Sequence, residues 1–234
     1  MDIQSKTIII TGASSGLGAA VSRTLVKADA GYVYGLARSK DKLNALQTEL
    51  GNTFIPVVLD VSDLNLIRKW YNSTFSESHS PDILINNAGT GGFAPIDVMQ
   101  ADEWIGMLDT NLKGMYYMTS AAVPLMKAKT GSKHIINIGS IMGTTTRGEA
   151  SAYSASKYAV NGFSESLFKE LRGFDIKVTC VNPGSIETDF FVNSGIQPST
   201  HMLHPDEVAD TILYILKTPD NVLIDEIKIR PLKP

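Results

Sequence analysis

Short runs of β-branched and apolar residues alternate along the chain with longer stretches in which apolar positions return every three or four residues. The runs are Thr7 to Thr11, Tyr32 to Leu36, Phe54 to Leu59, Ile83 to Ile85, His134 to Ile138, Lys177 to Val181 and Val222 to Ile229. Between them, Leu64, Ile67, Tyr71 and Phe75, or Val208, Ile212 and Ile215, follow the helical period. Long helices are predicted over Asp102 to Lys127 and Ser151 to Arg172. Strand and helix alternating in this way predict a parallel sheet covered on both faces, because each parallel connection needs a crossover. Several runs are apolar almost throughout, as strands buried on both sides require. Breakers fall where loops are needed, at Gly51-Asn52, Ser80-Pro81, Thr90 to Gly92, Gly143 to Gly148, Pro183-Gly184 and Pro198. The expected fold is therefore α/β, a single domain over residues 1–234 built on a doubly wound parallel sheet of about seven strands. The least patterned stretch, Asn193 to His204, is either a substrate lid or a plain connection.

In such a sheet ligands bind outside the carboxyl ends of the strands, and the first such end carries "TGASSGLG", Thr11 to Gly18. Two readings compete for it. Gly12 to Gly16 fits G-x-S-x-G, an elbow that would make Ser14 a hydrolytic nucleophile. Alternatively Gly12 permits a tight turn, Gly16 lets backbone approach a phosphate and Gly18 packs the helix on the sheet, with Ser14, Ser15 and Leu17 completing a dinucleotide turn. The elbow needs an oxyanion-hole loop from an earlier strand, and no earlier strand exists. It also needs a histidine, and His134, His201 and His204 lie in undistinguished contexts.

Further along, "SAYSASK" sets Tyr153 and Lys157 one helical turn apart on one face. An ammonium about 4 Å from the phenol, at an effective dielectric near 20, would favour phenolate by roughly 4 kcal/mol, at most about 3 pKa units. That would bring tyrosine toward neutral-pH proton exchange. Ser140 ends the strand "HIINIGS", whose carboxyl end faces the same crevice, where its hydroxyl would meet a carbonyl oxygen.

Composition narrows the partners. The formal net charge of -3 and scattered Lys and Arg argue against nucleic acid, and the basic stretch Lys127 to Lys133 reads as a helix end before Gly131. Cys180 is the single cysteine, in the apolar run "IKVTCVN", so it reads as core and excludes internal disulfides and thiolate metal clusters. No histidine or carboxylate pair has metal-site spacing. No signal-peptide pattern opens the chain and no apolar stretch reaches the roughly 20 residues of a membrane span, so a cytoplasmic, membrane-free protein is expected.

Taken together, "TGASSGLG", "NNAG" at Asn86 to Gly89, Asn111, Ser140, "YSASK" and "PGSIET" at Pro183 to Thr188 resemble the short-chain dehydrogenase/reductase family of the single-domain Rossmann type. The motifs stand in the family's order over residues 6 to about 190, and the C-terminal "LIDEIKIRPLKP" resembles its carbonyl-reductase branch. The resemblance implies Tyr153 as general acid in carbonyl reduction and general base in alcohol oxidation, with Ser140 holding the substrate oxygen. It implies that Lys157 binds the nicotinamide ribose and depresses the tyrosine pKa, and that Asn111 organises a water-linked proton relay. Asn87, Ala88 and Gly89 are expected beside the ribose, Asp60 and Val61 beside the adenine, and Pro183, Gly184, Ile186 and Thr188 around the carboxamide. A homodimer or homotetramer built on the two long helices is implied by the resemblance only.

The place that would hold an acid for the ribose 2′-hydroxyl reads "YGLARSKDKL". Ala37 stands there with Arg38 next, and Asp41 falls in the first turn of the following helix. The missing acid and the guanidinium fork both favour NADP(H) as cofactor. The expected substrate is a small carbonyl or hydroxyl compound. The walls Gly91 to Ala94, Ile141 to Thr146, Gly148 to Ser151, Ser185 and Phe190 to His204 carry few charges, which points to a neutral ketone or aldehyde. A small hydroxy acid meeting Arg147 is the alternative within the class. A nucleotide sensor would keep the glycine turn but has no use for Ser140, Tyr153 and Lys157.

Overall fold

The computed structural model describes residues 1–194 and 200–233. Strands β1 (Thr7–Thr11), β2 (Tyr32–Ala37), β3 (Phe54–Val58), β4 (Ile83–Asn86), β5 (Lys133–Ile138), β6 (Ile176–Pro183) and β7 (Glu226–Ile229) form a seven-stranded sheet in the order β3-β2-β1-β4-β5-β6-β7. Every pairing is parallel. The order reverses direction between β1 and β4, so the crevice outside their carboxyl ends is the switch point at which such sheets take ligands.

Successive side chains of a strand point to opposite faces, and β1 shows it: Ile8 and Ile10 join one apolar cluster, Ile9 the other. The first cluster is closed by α1 (Gly16–Lys27), α2 (Lys40–Leu50) and, past the short α7 (Phe190–Ser194), α8 (Pro205–Leu216), through residues such as Val21, Leu25, Leu43 and Ile212. The second is closed by α3 (Leu64–Thr74), α5 (Met115–Ala128) and α6 (Ser151–Leu171), through Ile67, Tyr71, Met118, Met126 and Leu171. Asp63 accepts the amides of Asn65 and Leu66 and so starts α3, satisfying donors that a helix start leaves orphaned. His204 and Glu207 form a reciprocal cap that starts α8. His204 is thus used structurally.

Two sequence expectations are corrected here and a third is extended. The helix foreseen over Asp102 to Lys127 is α4 (Ala101–Leu108) and α5 joined by a π-helical segment at Asp109–Gly114. The last strand begins at Glu226 instead of Val222, because the Val222 and Ile224 carbonyls accept bonds from the Lys177 ammonium and the Thr179 hydroxyl of β6. The basic stretch does more than end a helix: Lys129 lies 2.8 Å from the buried Asp82 carboxylate, which also accepts the Thr7 amide and faces Lys6. Cys180 is buried in β6, as its apolar run predicts. Part of the Asn193 to His204 stretch, residues 195–199 with Pro198, lies outside the described residues. The remainder is tied down where Leu203 pairs with Ile186 in a short parallel bridge.

Candidate active site

Gly12 and Gly16 adopt φ of +67° and +52°, left-handed values that a side chain resists, so the β1 to α1 turn can follow its tight path only with glycine there. A Cβ on Gly12 would stand 2.9 Å from Ala88 Cα, and one on Gly16 3.0 Å from Thr188 Cγ2. The turn is therefore flanked by two segments that the sequence also singled out. Gly18 meets the Gly12 carbonyl so closely that no Cβ fits between α1 and the turn. Thr11 Oγ1 accepts the amides of Asn87 and Ala88 at 3.0 Å each, and Asn87 Nδ2 donates to the Thr11 carbonyl at 2.9 Å. The loop after β4 is thereby locked to the end of β1.

These elements border one crevice of about 1170 Å³, more than a small-substrate pocket needs and enough for a dinucleotide with substrate. Along it lie Gly12, Ser14, Ser15, Gly16 and Leu17, then Arg38, Asp60 and Val61, then Asn87, Ala88 and Gly89. Ser140, Tyr153, Lys157, Pro183, Gly184, Ile186 and Thr188 complete the set. Gly18 and Asn111 stand behind the wall and do not line it. Among the described lining residues there is no histidine, so Ser14 has no partner for hydrolytic activation.

At the aromatic end, the Tyr153 ring is gripped between Phe93 and Phe190, at centroid distances of 5.5 and 5.6 Å. Each such pair is worth about 0.5–1.5 kcal/mol beyond its buried area and fixes the phenol's direction. Lys157 Nζ donates to the Ile138 carbonyl at 2.9 Å and lies 5.8 Å from the Tyr153 ring centre. Burial pushes the phenol up to about 12, and a hydrogen bond with the Ser140 side chain opposes that rise. Burial also lowers the Lys157 ammonium to about 8. This corrects the expectation that the lysine charge would draw the phenol toward neutrality: in this geometry desolvation wins. The Tyr153 phenol therefore keeps its proton at neutral pH.

Asn111 sits in the π-helical segment, almost fully buried. Its Oδ1 accepts the Thr90 amide at 2.8 Å, and its Nδ2 donates to the Thr90 carbonyl and to Ser156 Oγ. The side chain thus holds the loop that carries Gly89, and π-segments of this kind concentrate at functional sites. Arg38 is 74% exposed at the opposite end, with Nη1 3.9 Å from Asp60 Oδ2. Asp60 in turn accepts the Ser62 amide and hydroxyl, and Asp41 does fall in the first turn of α2.

Of the anticipated walls, Gly91, Phe93, Ile141, Met142, Thr145, Thr146, Ser185, Phe190 and Phe191 line the crevice, and Arg147 joins them with its guanidinium 5.5 Å over the Phe93 ring. Gly148 to Ser151 do not line it. The Glu149 carbonyl instead accepts the Ala94 amide and braces the two loops together. Sequence reading missed Thr11, whose role shows only once β1 and β4 are neighbours, and the aromatic grip of Phe93 and Phe190 on Tyr153, which joins rings 60 and 37 positions apart in the chain. Among the described residues no group of His, Cys, Asp and Glu is placed to hold a metal ion, and no helix is long and apolar enough to cross a membrane.

Comparison with known proteins agrees with this geometry. A family profile described as short chain dehydrogenase matches residues 6–198. An uncharacterized oxidoreductase of Staphylococcus aureus strain N315 is 36% identical over 231 residues, covering 97% of each chain. The closed form of a serine dehydrogenase complexed with NADP+ superposes with a TM-score of 0.89 at 30% identity, over 95% of this chain and 94% of the other. A metagenomic short-chain oxidoreductase in complex with NADP superposes with a TM-score of 0.84 at 32% identity, over the full length of both.

Proposed function

Because the chain belongs to the short chain dehydrogenase family, we propose that it is an NADP(H)-dependent oxidoreductase of the carbonyl-reductase type, acting on a carbonyl or secondary-alcohol substrate. The observation that carries this reading is the meeting of Ser140, Tyr153 and Lys157 at one end of a crevice whose other end is the left-handed glycine turn with Arg38. The cradle fits a dinucleotide: Gly12, Gly16 and Gly18 leave no room for side chains where backbone must approach phosphates, and Arg38 follows directly on Ala37 instead of an acid. The NADP-bound serine dehydrogenase and metagenomic oxidoreductase support NADP(H) as the cofactor.

Bound there, the cofactor would supply a hydride for the carbonyl carbon. The chain's own residues manage the oxygen. Ser140 and Tyr153 donate hydrogen bonds to it, and Tyr153 passes its phenolic proton to the oxygen as negative charge develops. A phenol held at about 12 stays loaded for this step throughout neutral pH. Lys157 carries the nearby positive charge that stabilises the phenolate left behind and holds the ribose. Asn111 holds the Thr90 loop and Ser156, the residue before Lys157, and by the family resemblance would lie on a proton path to solvent. Gly89 and Asn87 would border the ribose, Asp60 and Val61 the adenine, and Thr188 with Pro183, Gly184 and Ile186 the carboxamide. The aromatic wall of Phe93 and Phe190 suits a neutral ketone or aldehyde. Arg147 over Phe93 supports a second substrate reading, a small hydroxy acid whose carboxylate it would meet. Ile105, Tyr116 and Tyr158, about half exposed on α4, α5 and α6, support a homodimer or homotetramer.

Thermal unfolding with equal concentrations of NADPH and NADH tests the cofactor before any substrate is known, since a ligand at about 100 times its Kd stabilises by roughly 2.7 kcal/mol. NADPH consumption with para-nitrobenzaldehyde then tests the chemistry. Tyr153→Phe is expected to lose about 10²-fold in kcat while keeping the NADPH shift. A nucleotide sensor would show the shift with no turnover. Unchanged turnover in the variant would remove Tyr153 as proton donor, and absence of any shift would remove the cofactor site.

A further inference from the structure

The turn that presents Ser140 is gripped at both ends by a pair of side-chain amides. In "INIGSIMG" the serine is bracketed by Gly139 and Gly143. A Cβ on Gly139 would run into Asn182 Oδ1, and one on Gly143 into Asn161 Nδ2, so each glycine admits one amide. At the first end the Ser140 amide donates to Asn182 Oδ1 at 2.9 Å. At the other, Asn161 Nδ2 donates to the Gly143 carbonyl at 2.9 Å. Between them Asn182 Nδ2 donates to Asn161 Oδ1, also at 2.9 Å. Spare capacity is used as well: Asn182 Nδ2 gives a second bond to Glu226 Oε1 on β7 at 3.1 Å, and the Cys180 thiol donates to Asn161 Oδ1.

The orientation of both amides follows from the backbone groups they meet. The Ser140 N–H needs an acceptor, which turns Asn182 Nδ2 toward Asn161. Asn161 must then offer Oδ1 to Asn182, which leaves Nδ2 to satisfy the Gly143 carbonyl. Neither amide can flip without setting donor against donor or acceptor against acceptor at both contacts. Asn161 lies on α6 two turns beyond Tyr153 and one beyond Lys157, so the same rigid helix that carries the phenol also fixes the turn that carries the serine.

We infer that Asn161 is a positioning residue for Ser140, setting the distance and direction of its hydroxyl relative to Tyr153 by anchoring the Gly143 end of the turn to α6. What Ser140 does with that placement rests on the function proposed above. The anchor itself does not, so the two are tested separately.

Hydrogen exchange tests the anchor without substrate. Asn161→Leu removes all three bonds, and Asn161→Asp keeps the shape and the acceptor while losing the donor to Gly143. Both variants are expected to exchange about tenfold faster in the peptide spanning Gly139 to Thr144, with β5 and the rest of α6 unchanged. Unchanged exchange in that peptide, in variants with a cooperative thermal transition, overturns the inference. Turnover of para-nitrobenzaldehyde with NADPH tests the consequence. Each variant is expected to lower kcat about five- to tenfold with the KM for NADPH within about twofold, and Asn161→Leu placed in a Ser140→Ala background is expected to cost less than about twofold more. Penalties that multiply would show a role independent of Ser140 and overturn positioning. If the unaltered enzyme reduces no carbonyl probe, the functional proposal falls and the exchange experiment still decides the anchor.

Discussion

Replacing Arg38 with alanine should separate the two nicotinamide cofactors. The guanidinium is 74% exposed and its nearest charge is Asp60, 3.9 Å away and itself 39% exposed, so the environment is close to water. Unit charges about 4 Å apart attract by about 1 kcal/mol in bulk water and about 4 kcal/mol at an effective dielectric of 20. A phosphate monoester carries about 1.5 to 2 negative charges, which doubles the attraction, while Asp60 repels the same phosphate and withdraws part of it. The net is about 1.5–3 kcal/mol, or 10- to 100-fold in affinity. Arg38→Ala should therefore raise the Kd for NADPH by about that factor, measured by titrating the change in unfolding temperature or by calorimetry. NADH lacks the phosphate, so its Kd should move by less than about threefold. The NADPH effect should also shrink as salt is raised, since an exposed pair is screened over about 8 Å at physiological ionic strength. Equal losses for both cofactors would refute the argument and make Arg38 a surface residue that starts the approach to α2.

Other expectations follow from the same geometry. Carbonyl reduction should hold level below neutral pH and fall above about pH 8, because Lys157 loses its charge there while Tyr153, near 12, keeps its proton; activity undiminished at pH 10 would contradict this. Ser14→Ala should leave NADPH-dependent turnover within about threefold, whereas a hydrolase would lose everything. Buried His134, lowered to about 3 by desolvation and by the Lys177 and amino-terminal charges, is neutral in the fold and charges in the unfolded chain below about 6.5. The fold is therefore nearly unaffected by it at neutral pH and loses stability as pH falls, about 2 kcal/mol between pH 6.5 and 4.5. Urea unfolding at those two pH values should show a smaller loss by about that amount in His134→Leu, and parallel losses would place the acid sensitivity elsewhere.

How much of this was legible in the sequence depended on how local the cause was. Five runs became strands within a residue of their predicted ends, since an apolar run sealed by glycine or proline carries its own boundary; the sixth run, foreseen as Lys177 to Val181, extends through Pro183. The last strand came out short because its competitors for hydrogen bonds, Lys177 and Thr179, are about 45 residues away in the chain. The π-segment at Asp109–Gly114 has no apolar signature, because one extra residue per turn barely disturbs a helical pattern. The site divides in the same way. Its glycine turn and its Tyr153-Lys157 pair are contiguous words and could be read directly, and the chemistry of the pair was still misjudged. Coulomb attraction was counted from a spacing of four residues, but the desolvation that outweighs it comes with packing among Phe93, Met107 and Phe190, none of them near Tyr153 in the chain. Proton affinity in this site is therefore a property of the assembled crevice. It follows that changes to the aromatic wall should alter the acid as well as the substrate: Phe190→Ala, by admitting water to the phenol, is expected to lower its pKa from about 12, read as the alkaline rise of tyrosinate absorbance relative to Tyr153→Phe. A phenol that titrates unchanged beside the smaller side chain would mean that Phe93 and Met107, and not Phe190, exclude the water.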